Sequence, residues 1–407
     1  MQLALDGINA YKHWQDFLQD DSAEAYFTQT DSLWMLGYDQ AANAAMVERL
    51  ANFGVGSDVL DSQGIAQMFP QMNTEPMPRY DAETGEIVEV DSGPLSAVFE
   101  HGCGHLDSNL CLSDLHRVCL REGVEIMFNS PVAGVTLAGD EQSVSGVTLA
   151  DGRHVAAPVV VNAAGPWFNQ LNATCGVDLG ITTTALATRI QVGTLRNVPE
   201  EFLSLPFVAD AWGSSGIYFM PRRASGELVF GSVDHRFESE IVPGVLCSRS
   251  LHRLFTVAAT LLQERVLNAN NTRALRDSLL QLWDLVKFAD PDQLNAALDP
   301  DVKADYLGCL FHRLPNLPQN LKISGFSSMY TVNQDDVHPM IGETNLRGMW
   351  ACNGFSGHGF KLAPAVGSMV AEQITGTRTD AWETDAPLEY LSPKREILTL
   401  KHKTHFA

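Results

Sequence analysis

The chain has 407 residues, with 27 lysines and arginines against 49 aspartates and glutamates, which gives a formal net charge of −22 at pH 7. Because phosphate backbones bind basic surfaces, a chain this acidic is not expected to bind nucleic acid. Hydrophobic residues make up 45% and charged residues 19% of the chain, as in folded globular proteins. The length suits two domains or one large interleaved unit.

Neither a membrane span nor an export signal is expected. No stretch approaches the ~18 consecutive apolar residues of a membrane-spanning helix. The N-terminal segment lacks the basic region and apolar core of a signal peptide. The 7 cysteines are scattered without a Cys-x-x-Cys pair, which is typical of reduced thiols rather than of a disulfide framework. We therefore expect a cytoplasmic protein.

The first half of the chain predicts helices and short strands. Apolar side chains at helical spacing predict one helix over residues 1–19 and another over 40–52. A further helix is predicted over 110–122, and short β runs punctuated by glycine follow it, the first over 124–128. The last run, Val159–Val161, is typical of a buried strand that ends in a tight turn.

The second half returns to strands before a long helical stretch. Two strands separated by a glycine-containing turn predict a hairpin over residues 217–235, and a helical stretch is predicted over 247–289. A strand is predicted over 321–332. A helix is predicted over 363–374 and is expected to stop at Gly376. Residues 377–407 are expected to form a polar tail.

The segment Gly354–Gly359 precedes this last helix and is the best candidate ligand site in the sequence. It contains three glycines and a serine. Such a segment exposes backbone N–H groups at the positive end of the helix dipole, where an anion or a polarised ring carbonyl binds. A glycine-rich loop without a ligand is the alternative interpretation.

Three motifs, in the same order along the chain, resemble those of the D-amino-acid-oxidase-type FAD oxidoreductases. One is Asn353–Lys361 with the helix that follows it, and another is Met329–Thr331 leading into Asp336–Gly342. The third, Val159–Trp167, is similar to the strand and turn beside the flavin in this family. The branch concerned contains sarcosine oxidase, glycine oxidase and dimethylglycine dehydrogenase. The resemblance covers the chain from about residue 20 to residue 376.

The resemblance implies an α/β fold in which chain segments alternate between two domains. One is an FAD-binding doubly wound domain, N-terminally incomplete, and the other is a substrate domain with an antiparallel sheet. The FAD-binding domain is expected to comprise residues 1–20, 91–178 and 323–376. The substrate domain is expected to comprise residues 21–90 and 179–322, with a helical insert over 247–289, and residues 377–407 form the tail.

The resemblance also assigns two groups of residues to the FAD. The first group lies along the cofactor and consists of Ala163, Ala164, Gly165 and Trp167. The second faces the isoalloxazine ring from the other side and consists of Gly354, Phe355, Ser356, Gly357, His358 and Gly359. No metal site is assigned, because the His101–His105 segment has two histidines and a cysteine but no second ligand pair.

The implied activity is oxidation of a small amino acid or N-methylated amino acid, such as glycine or sarcosine, by hydride transfer to the flavin. Lys361 matches the lysine that holds the substrate carboxylate, a role that suits a cation beside a helix end and a flavin. Tyr218 and Tyr330 match two tyrosines that line the substrate pocket, where a phenol orients the substrate. From the residues alone, a solvent-facing lysine and two core tyrosines stay open as alternatives.

Two departures from the sarcosine oxidase pattern bear on the cofactor and its oxidant. Ser328 stands where sarcosine oxidase has the cysteine that attaches the flavin, so FAD is expected to bind non-covalently. Val229 stands where that enzyme has a lysine that promotes reaction with oxygen, since a cation stabilises developing superoxide. The electron acceptor is therefore expected to be either O2 or an electron-transfer protein.

The largest departure concerns the dinucleotide-binding unit. The family opens with a βαβ unit carrying GxGxxG, and this sequence has no such unit, although Gly54–Gly56 and Gly102–Gly104 carry paired glycines. About 80–100 residues of the family pattern are missing, judged against the ~30 residues of one βαβ unit. We expect Met1 to be an internal start or the chain to be truncated, and this chain alone to bind FAD weakly or not at all. The alternative function is that of a catalytically silent relative acting in assembly or binding.

Overall fold

The computed structural model describes most of the chain. The described residues are 1–77, 79–80, 87–88, 93–212, 216–232, 239–241, 291–378 and 382–399. The helical insert expected over 247–289 lies outside them. Among the described residues, no helix is both long enough and apolar enough to cross a lipid bilayer.

Helices and strands alternate along the described chain, as a mixed α/β fold requires. The helices are α1 (Gln2–Lys12), α2 (Trp14–Leu18), α3 (Gln40–Ala51), α4 (Ser62–Met68), α5 (Ser108–Arg121), α6 (Phe168–Ala173), α7 (Glu200–Leu203), α8 (Pro300–Arg313) and α9 (Gly359–Thr375). The strands of the first half are β1 (Thr28–Gln29), β2 (Ser32–Met35), β3 (Ser57–Asp61), β4 (Arg79–Tyr80), β5 (Ile87–Val88), β6 (Ser96–Glu100), β7 (Gly104–His105), β8 (Val132–Leu137), β9 (Val144–Leu149), β10 (His154–Ala156) and β11 (Val160–Asn162). Those of the second half are β12 (Ala185–Arg196), β13 (Phe207–Asp210), β14 (Ile217–Arg222), β15 (Glu227–Ser232), β16 (Ser239–Ile241), β17 (Lys322–Asn333), β18 (Met340–Glu343) and β19 (Met349–Asn353).

The largest sheet is a mixed sheet with strand order β16-β12-β15-β14-β13-β2-β6-β3, and β17 also pairs with β12. Most of its pairs are antiparallel, and β13 with β2 is a parallel pair. Its core side includes Leu33, Phe219 and Phe230, together with Tyr306 and Leu310 of α8. These side chains are almost completely buried, so the sheet and α8 form the main hydrophobic core.

A second, smaller sheet contains the parallel pair β11 and β19. Val160 pairs with Met349 and Asn162 with Ala351, and β18 extends the sheet antiparallel to β19. In this sheet β11 is an edge strand, with no second neighbour among the described strands. Because the two strands are parallel, their carboxyl ends, and the loops that follow them, lie at the same edge of the sheet.

The helix after β19 begins against the first helix of the chain. A side chain added at Gly7 of α1 would lie 2.1 Å from the carbonyl oxygen of Lys361, so only glycine permits this approach. The Tyr11 hydroxyl donates to the carbonyl of Phe360 over 2.7 Å. Leu3 packs with Leu362 in a shared apolar cluster. The first turn of α9 is therefore held in place by α1.

Several elements predicted from the pattern are confirmed. The hairpin is β14 paired antiparallel with β15, and the predicted strand over 321–332 is β17. Helix α9 ends at Gly376, which has φ 68° as a glycine at a helix end should. The fold class, a mixed α/β architecture, is also confirmed.

Two predictions are wrong in detail. The single helix expected over 1–19 is broken at His13, whose φ and ψ are −119° and 44°, into α1 and α2. The strand expected over 124–128 is not a strand. Val124, Met127 and Phe128 are instead exposed, and no described strand pairs with their segment. An apolar run forms a stable strand only where a neighbouring strand pairs with it.

The described part of the expected polar tail is packed against the small sheet. The Ile341 amide donates to the carbonyl of Leu391 over 2.7 Å, and Leu391 is buried. The Arg395 guanidinium forms a buried ion pair with Asp336 at 2.8 Å and also donates to the carbonyl of His338. A buried ion pair and a backbone hydrogen bond therefore hold this segment against the rest of the chain.

Replacing Arg395 with methionine is expected to lower the free energy of unfolding by about 3 kcal/mol, because it leaves the Asp336 carboxylate buried without its counter-ion. Urea denaturation followed by circular dichroism measures the change. The matched control is Arg153→Met, which breaks an exposed ion pair with Asp151 and should leave stability nearly unchanged. Equal stability of the two variants would contradict the packing of this segment.

Candidate active site

Two glycine-containing segments meet at the carboxyl edge of the parallel pair. The turn 163–167 follows β11, and the loop 354–358 follows β19. The Asn353 side-chain amide donates to the carbonyl of Gly165 over 3.0 Å and joins them. Gly165 has φ 53°, and no atom lies within 4 Å of the position of an added side chain, so this face of the turn is open. The structure thus brings together the two segments that the sequence assigned to FAD.

The turn after β11 is held by Asn162, the last residue of that strand. Its side chain accepts from the Ala164 amide over 3.1 Å and donates to the carbonyl of Phe168 over 3.0 Å. The Trp167 indole N–H donates to Asp292 over 3.0 Å, which anchors its ring. Ala163 and Ala164 keep accessible surface. The conformation of the turn is therefore set by β11 itself.

The loop after β19 is held by β17. Gly354, Ser356 and Gly357 have φ values of 73°, 48° and 83°, which is left-handed backbone. The Ser356 amide donates to the carbonyl of Thr331 over 2.9 Å, and its buried hydroxyl accepts from the Asn333 amide over 3.0 Å. The Ser356 side chain therefore fixes the loop, and what the loop offers a ligand is backbone.

Lys361 lies in the first turn of α9, directly after this loop. The residue as a whole is exposed, although burial of its ammonium end lowers the pKa of Lys361. The nearby Glu100 and Cys103 act on this pKa in the opposite direction. Among the described residues, no carboxylate reaches ion-pair distance of the ammonium.

Tyr330 and Tyr218 occupy different strands of the large sheet. Tyr330 on β17 lies beside the glycine loop, since a side chain added at Gly357 would lie 3.9 Å from Tyr330 Cζ. The Tyr218 hydroxyl on β14 lies against Gly231, where an added side chain would be 2.6 Å away. Gly231 is therefore required for the position of Tyr218.

An aromatic chain connects Tyr218 with the Glu100 carboxylate. The Tyr218 ring stacks on Phe207 with centroids 6.1 Å apart, and Phe207 lies 5.5 Å from Trp34. The Trp34 indole N–H donates to the Glu100 carboxylate over 2.9 Å. Sequence reasoning missed Trp34 and Glu100. They meet through the pairing of β2 with β6, and the only local signal was that Glu100 immediately precedes His101–His105.

That segment shows no metal-site geometry. His101 is 2.8 Å from Asp58, on the neighbouring strand β3. Burial raises the pKa of the Cys103 thiol to about 12, so no reactive thiolate is expected there. In the part of the chain that the structure describes, no three His, Cys, Asp or Glu side chains cluster around a possible metal position.

The residues present fit the ring end of FAD but not its phosphate end. The open face of Gly165, the left-handed loop after β19 and the free N–H groups of the first turn of α9 suit a flat ring with polarised carbonyls. Gly54–Gly56 lies between α3 and β3, and Gly102–Gly104 lies between β6 and β7. Neither joins a parallel strand to a helix, and no other described segment forms a dinucleotide loop.

Comparison with known proteins identifies the family. The family model described as DAO, FAD dependent oxidoreductase, matches residues 2–373. The chain belongs to the DAO family. Proteins of this family are FAD-dependent oxidoreductases, and the solved structures similar to this chain include several that act on amino acids.

Three solved structures illustrate the shared DAO fold. L-proline dehydrogenase from P. horikoshii has a TM-score of 0.66 at 18% identity and covers 97% of this chain and 82% of its own. Glycine oxidase from Geobacillus kaustophilus has a TM-score of 0.66 at 15% identity, with 97% and 83% covered. L-amino acid deaminase from Proteus vulgaris has a TM-score of 0.64 at 16% identity, with 96% and 83% covered. At these identities the likeness concerns the fold.

One curated relative is similar in sequence. FAD-dependent oxidoreductase domain-containing protein 1 from Bos taurus is 29% identical over 225 residues, which cover 53% of this chain and 35% of the relative. The match thus spans about a third of the length of that relative. It agrees with the family assignment and does not specify a substrate.

The contact of α1 with the first turn of α9 predicts that Gly7→Ala destabilises the protein. Its new methyl group would overlap the Lys361 carbonyl, and we expect a loss of about 1–3 kcal/mol in the free energy of unfolding. The control is Gly367→Ala on α9, which meets no atom within 4 Å and should gain up to about 1 kcal/mol from its helix propensity. Urea denaturation compares both variants, and stabilisation by both would refute the close approach.

Proposed function

We propose that this chain contributes the flavin-ring and substrate sites of an FAD-dependent oxidoreductase that acts on a small amino acid or N-methylated amino acid, such as glycine or sarcosine. The observation that carries the proposal is the Lys361 ammonium. It stands beside the two flavin-type loops, is partly desolvated, and has no ion-pair partner among the described residues. A cation in the first turn of a helix opposes the helix dipole and does not stabilise the fold. A substrate carboxylate would supply the missing counter-charge.

Each proposed residue has a defined task in binding. Lys361 binds and orients the carboxylate, which directs the C–H bond of the substrate toward the flavin. Tyr330, beside the glycine loop, and Tyr218, at the end of the aromatic chain, bound the pocket and limit the water that enters it. FAD, when bound, supplies the hydride acceptor. Water then hydrolyses the product imine.

The cofactor is proposed to lie between the two loops, bound without a covalent link. Backbone groups of the turn after β11 would run along the flavin. Backbone groups of the loop after β19 would stabilise the carbonyl edge of the reduced ring. The residues concerned are Ala163, Ala164, Gly165 and Trp167 on one side, and Gly354, Phe355, Ser356, Gly357, His358 and Gly359 on the other. Because Trp167 and the Ser356 hydroxyl have other partners, we propose that they act through the positions of these segments.

The domain segments, the electron acceptor and the location of the protein are also proposed. The flavin segments are 1–20, 91–178 and 323–376, and the substrate segments are 21–90 and 179–322. The electron acceptor is O2 or an electron-transfer protein. A cytoplasmic location is proposed from the free cysteines among the described residues.

The alternative function is a catalytically silent relative that acts in assembly or binding. It is favoured by the absence of a phosphate-binding loop among the described residues and by the open edge of β11, where Val161 is 40% exposed. Binding of the flavin separates the two functions.

We expect this chain to bind FAD weakly, and no more than about tenfold more tightly than riboflavin, because ring contacts are common to both ligands and phosphate contacts are missing. Fluorescence titration with FAD and with riboflavin measures both dissociation constants. Stoichiometric FAD in the purified protein would contradict the prediction that this chain binds FAD weakly. A lack of binding by either ligand would favour the silent relative.

Replacing Lys361 with methionine should weaken the binding of a carboxylate probe, acetate, at least tenfold, because the charged hydrogen bond is lost. Calorimetry at several pH values tests this. The ammonium binds when protonated, so in the unaltered protein affinity should fall as the pH rises through the lowered pKa of Lys361, below the range of an exposed lysine. Unchanged acetate binding by Lys361→Met would overturn the assignment of Lys361 to the substrate carboxylate. The control is Lys394→Met, a lysine of the C-terminal segment that is remote from Lys361 in sequence.

A further inference from the structure

Residues 291–299, here called the strap, run from the turn after β11 to the start of α8. At one end, Asp292 accepts a hydrogen bond from the Trp167 indole N–H over 3.0 Å. At the other end, Asp299 is the residue that precedes α8. The strap contains one short 3₁₀ turn, Pro291–Gln293, and no strand or α-helix. Contacts with neighbouring elements must therefore hold it in place.

Arg189 of β12 anchors the strap to the large sheet. Its guanidinium donates twice to the Asp299 carboxylate, over 2.6 and 3.0 Å, and once to the carbonyl of Ala297 over 2.9 Å. Arg189 is only 6% exposed, so water competes little for these charge-assisted bonds. The Ser327 amide of β17 donates to the carbonyl of Ala296 over 2.9 Å. The strap is therefore fixed to both β12 and β17.

The same two strands border the candidate site. The turn that ends at Trp167 lies against β12 and β17. Asn169, in the helix that follows, donates to the carbonyl of Ala185 at the start of β12 over 2.7 Å. Tyr330 is on β17, the strand that also carries Ser327. The strap thus connects the end of the turn after β11 to the strand that carries Tyr330.

We propose that Asp292 is a positioning residue for the flavin ring, which holds Trp167 in place and is itself held by Arg189 through the strap. This inference rests on the proposed function and goes beyond it, because it assigns part of the shape of the flavin turn to a segment outside both flavin loops. Asn162 fixes the start of that turn, and the strap fixes its end. A turn that is already held in its binding conformation loses less freedom when the ligand binds, which raises affinity.

Fluorescence titration of the full chain with riboflavin tests the inference. Asp292→Ala should weaken riboflavin binding about tenfold, because the hydrogen bond that orders Trp167 is lost. Asp292→Asn keeps an acceptor oxygen for the indole N–H and should retain most of the affinity. Asp292 is exposed, so neither substitution disturbs the hydrophobic core.

The anchor of the strap is tested separately. Arg189→Met should weaken riboflavin binding by about the same factor as Asp292→Ala. The double variant should bind no more weakly than either single variant, because the two residues act in series on Trp167. The matched control is Arg196→Met on the same strand, which breaks an exposed ion pair with Glu227 and should leave the affinity unchanged.

The indole N–H resonance of Trp167 reports the contact in the absence of any ligand. Its position in the nuclear magnetic resonance spectrum should change in Asp292→Ala and in Arg189→Met, and should change least in Asp292→Asn. Trp167→Phe identifies the resonance, because that variant lacks it. An Asp292→Ala spectrum in which the resonance has not moved would contradict the contact.

The outcomes separate this inference from the proposed function. If the unaltered protein binds riboflavin and Asp292→Ala binds it as tightly, the inference fails while the flavin site stands. Equal weakening by Asp292→Ala and Asp292→Asn also overturns it, since the indole contact is then not the cause. If the unaltered protein binds no riboflavin, the proposed function fails and the inference fails with it. Thermal unfolding by circular dichroism establishes that the variants are folded, and the two Asp292 variants decide the question if Arg189→Met is not.

Discussion

The parallel pairing of β11 with β19 is the constraint on which the candidate site depends. Two strands nearly 190 positions apart in sequence end at the same edge, and the hydrogen bond from Asn353 to the Gly165 carbonyl spans the loops that follow them. Because α9 begins within a few residues of β19, the same pairing fixes where its first turn lies. The contact at Gly7 then holds that turn against α1. Sheet register and helix packing together decide the position of Lys361.

The proposed chemistry of the candidate site depends on a charge, that of Lys361, with no ion-pair partner among the described residues. Buried charges in the described part of the chain form ion pairs, as Arg313 does with Asp210 and Arg395 with Asp336. Lys361 stands at the unfavourable end of a helix dipole and has no ion-pair partner among the described residues. Such an arrangement costs stability, which makes it informative about function. Binding of a carboxylate ligand would offset that cost.

The ring end and the phosphate end of FAD require different structural features of the protein. The proposed ring contacts come from loops held by β11, β17 and β19, all of which are among the described strands. Phosphate contacts require a glycine loop between a parallel strand and a helix, and β11 has no further parallel neighbour in the described part of the chain. Membership of the DAO family implies the chemistry of the site. The affinity of this chain alone for FAD is the quantity that the fluorescence titration measures.

The sequence by itself determined the family, the mixed α/β class, the β14–β15 hairpin, β17 and the end of α9, because local periodicity and turn chemistry specify such elements. It also singled out the two loops now found together, whose roles stay a prediction. Only the tertiary structure decided that the Trp34 indole bonds the Glu100 carboxylate, that residues 124–128 form no strand, and that Arg395 anchors the C-terminal segment. These features depend on strand register and on contacts between residues far apart in the chain, and no local pattern encodes such distances.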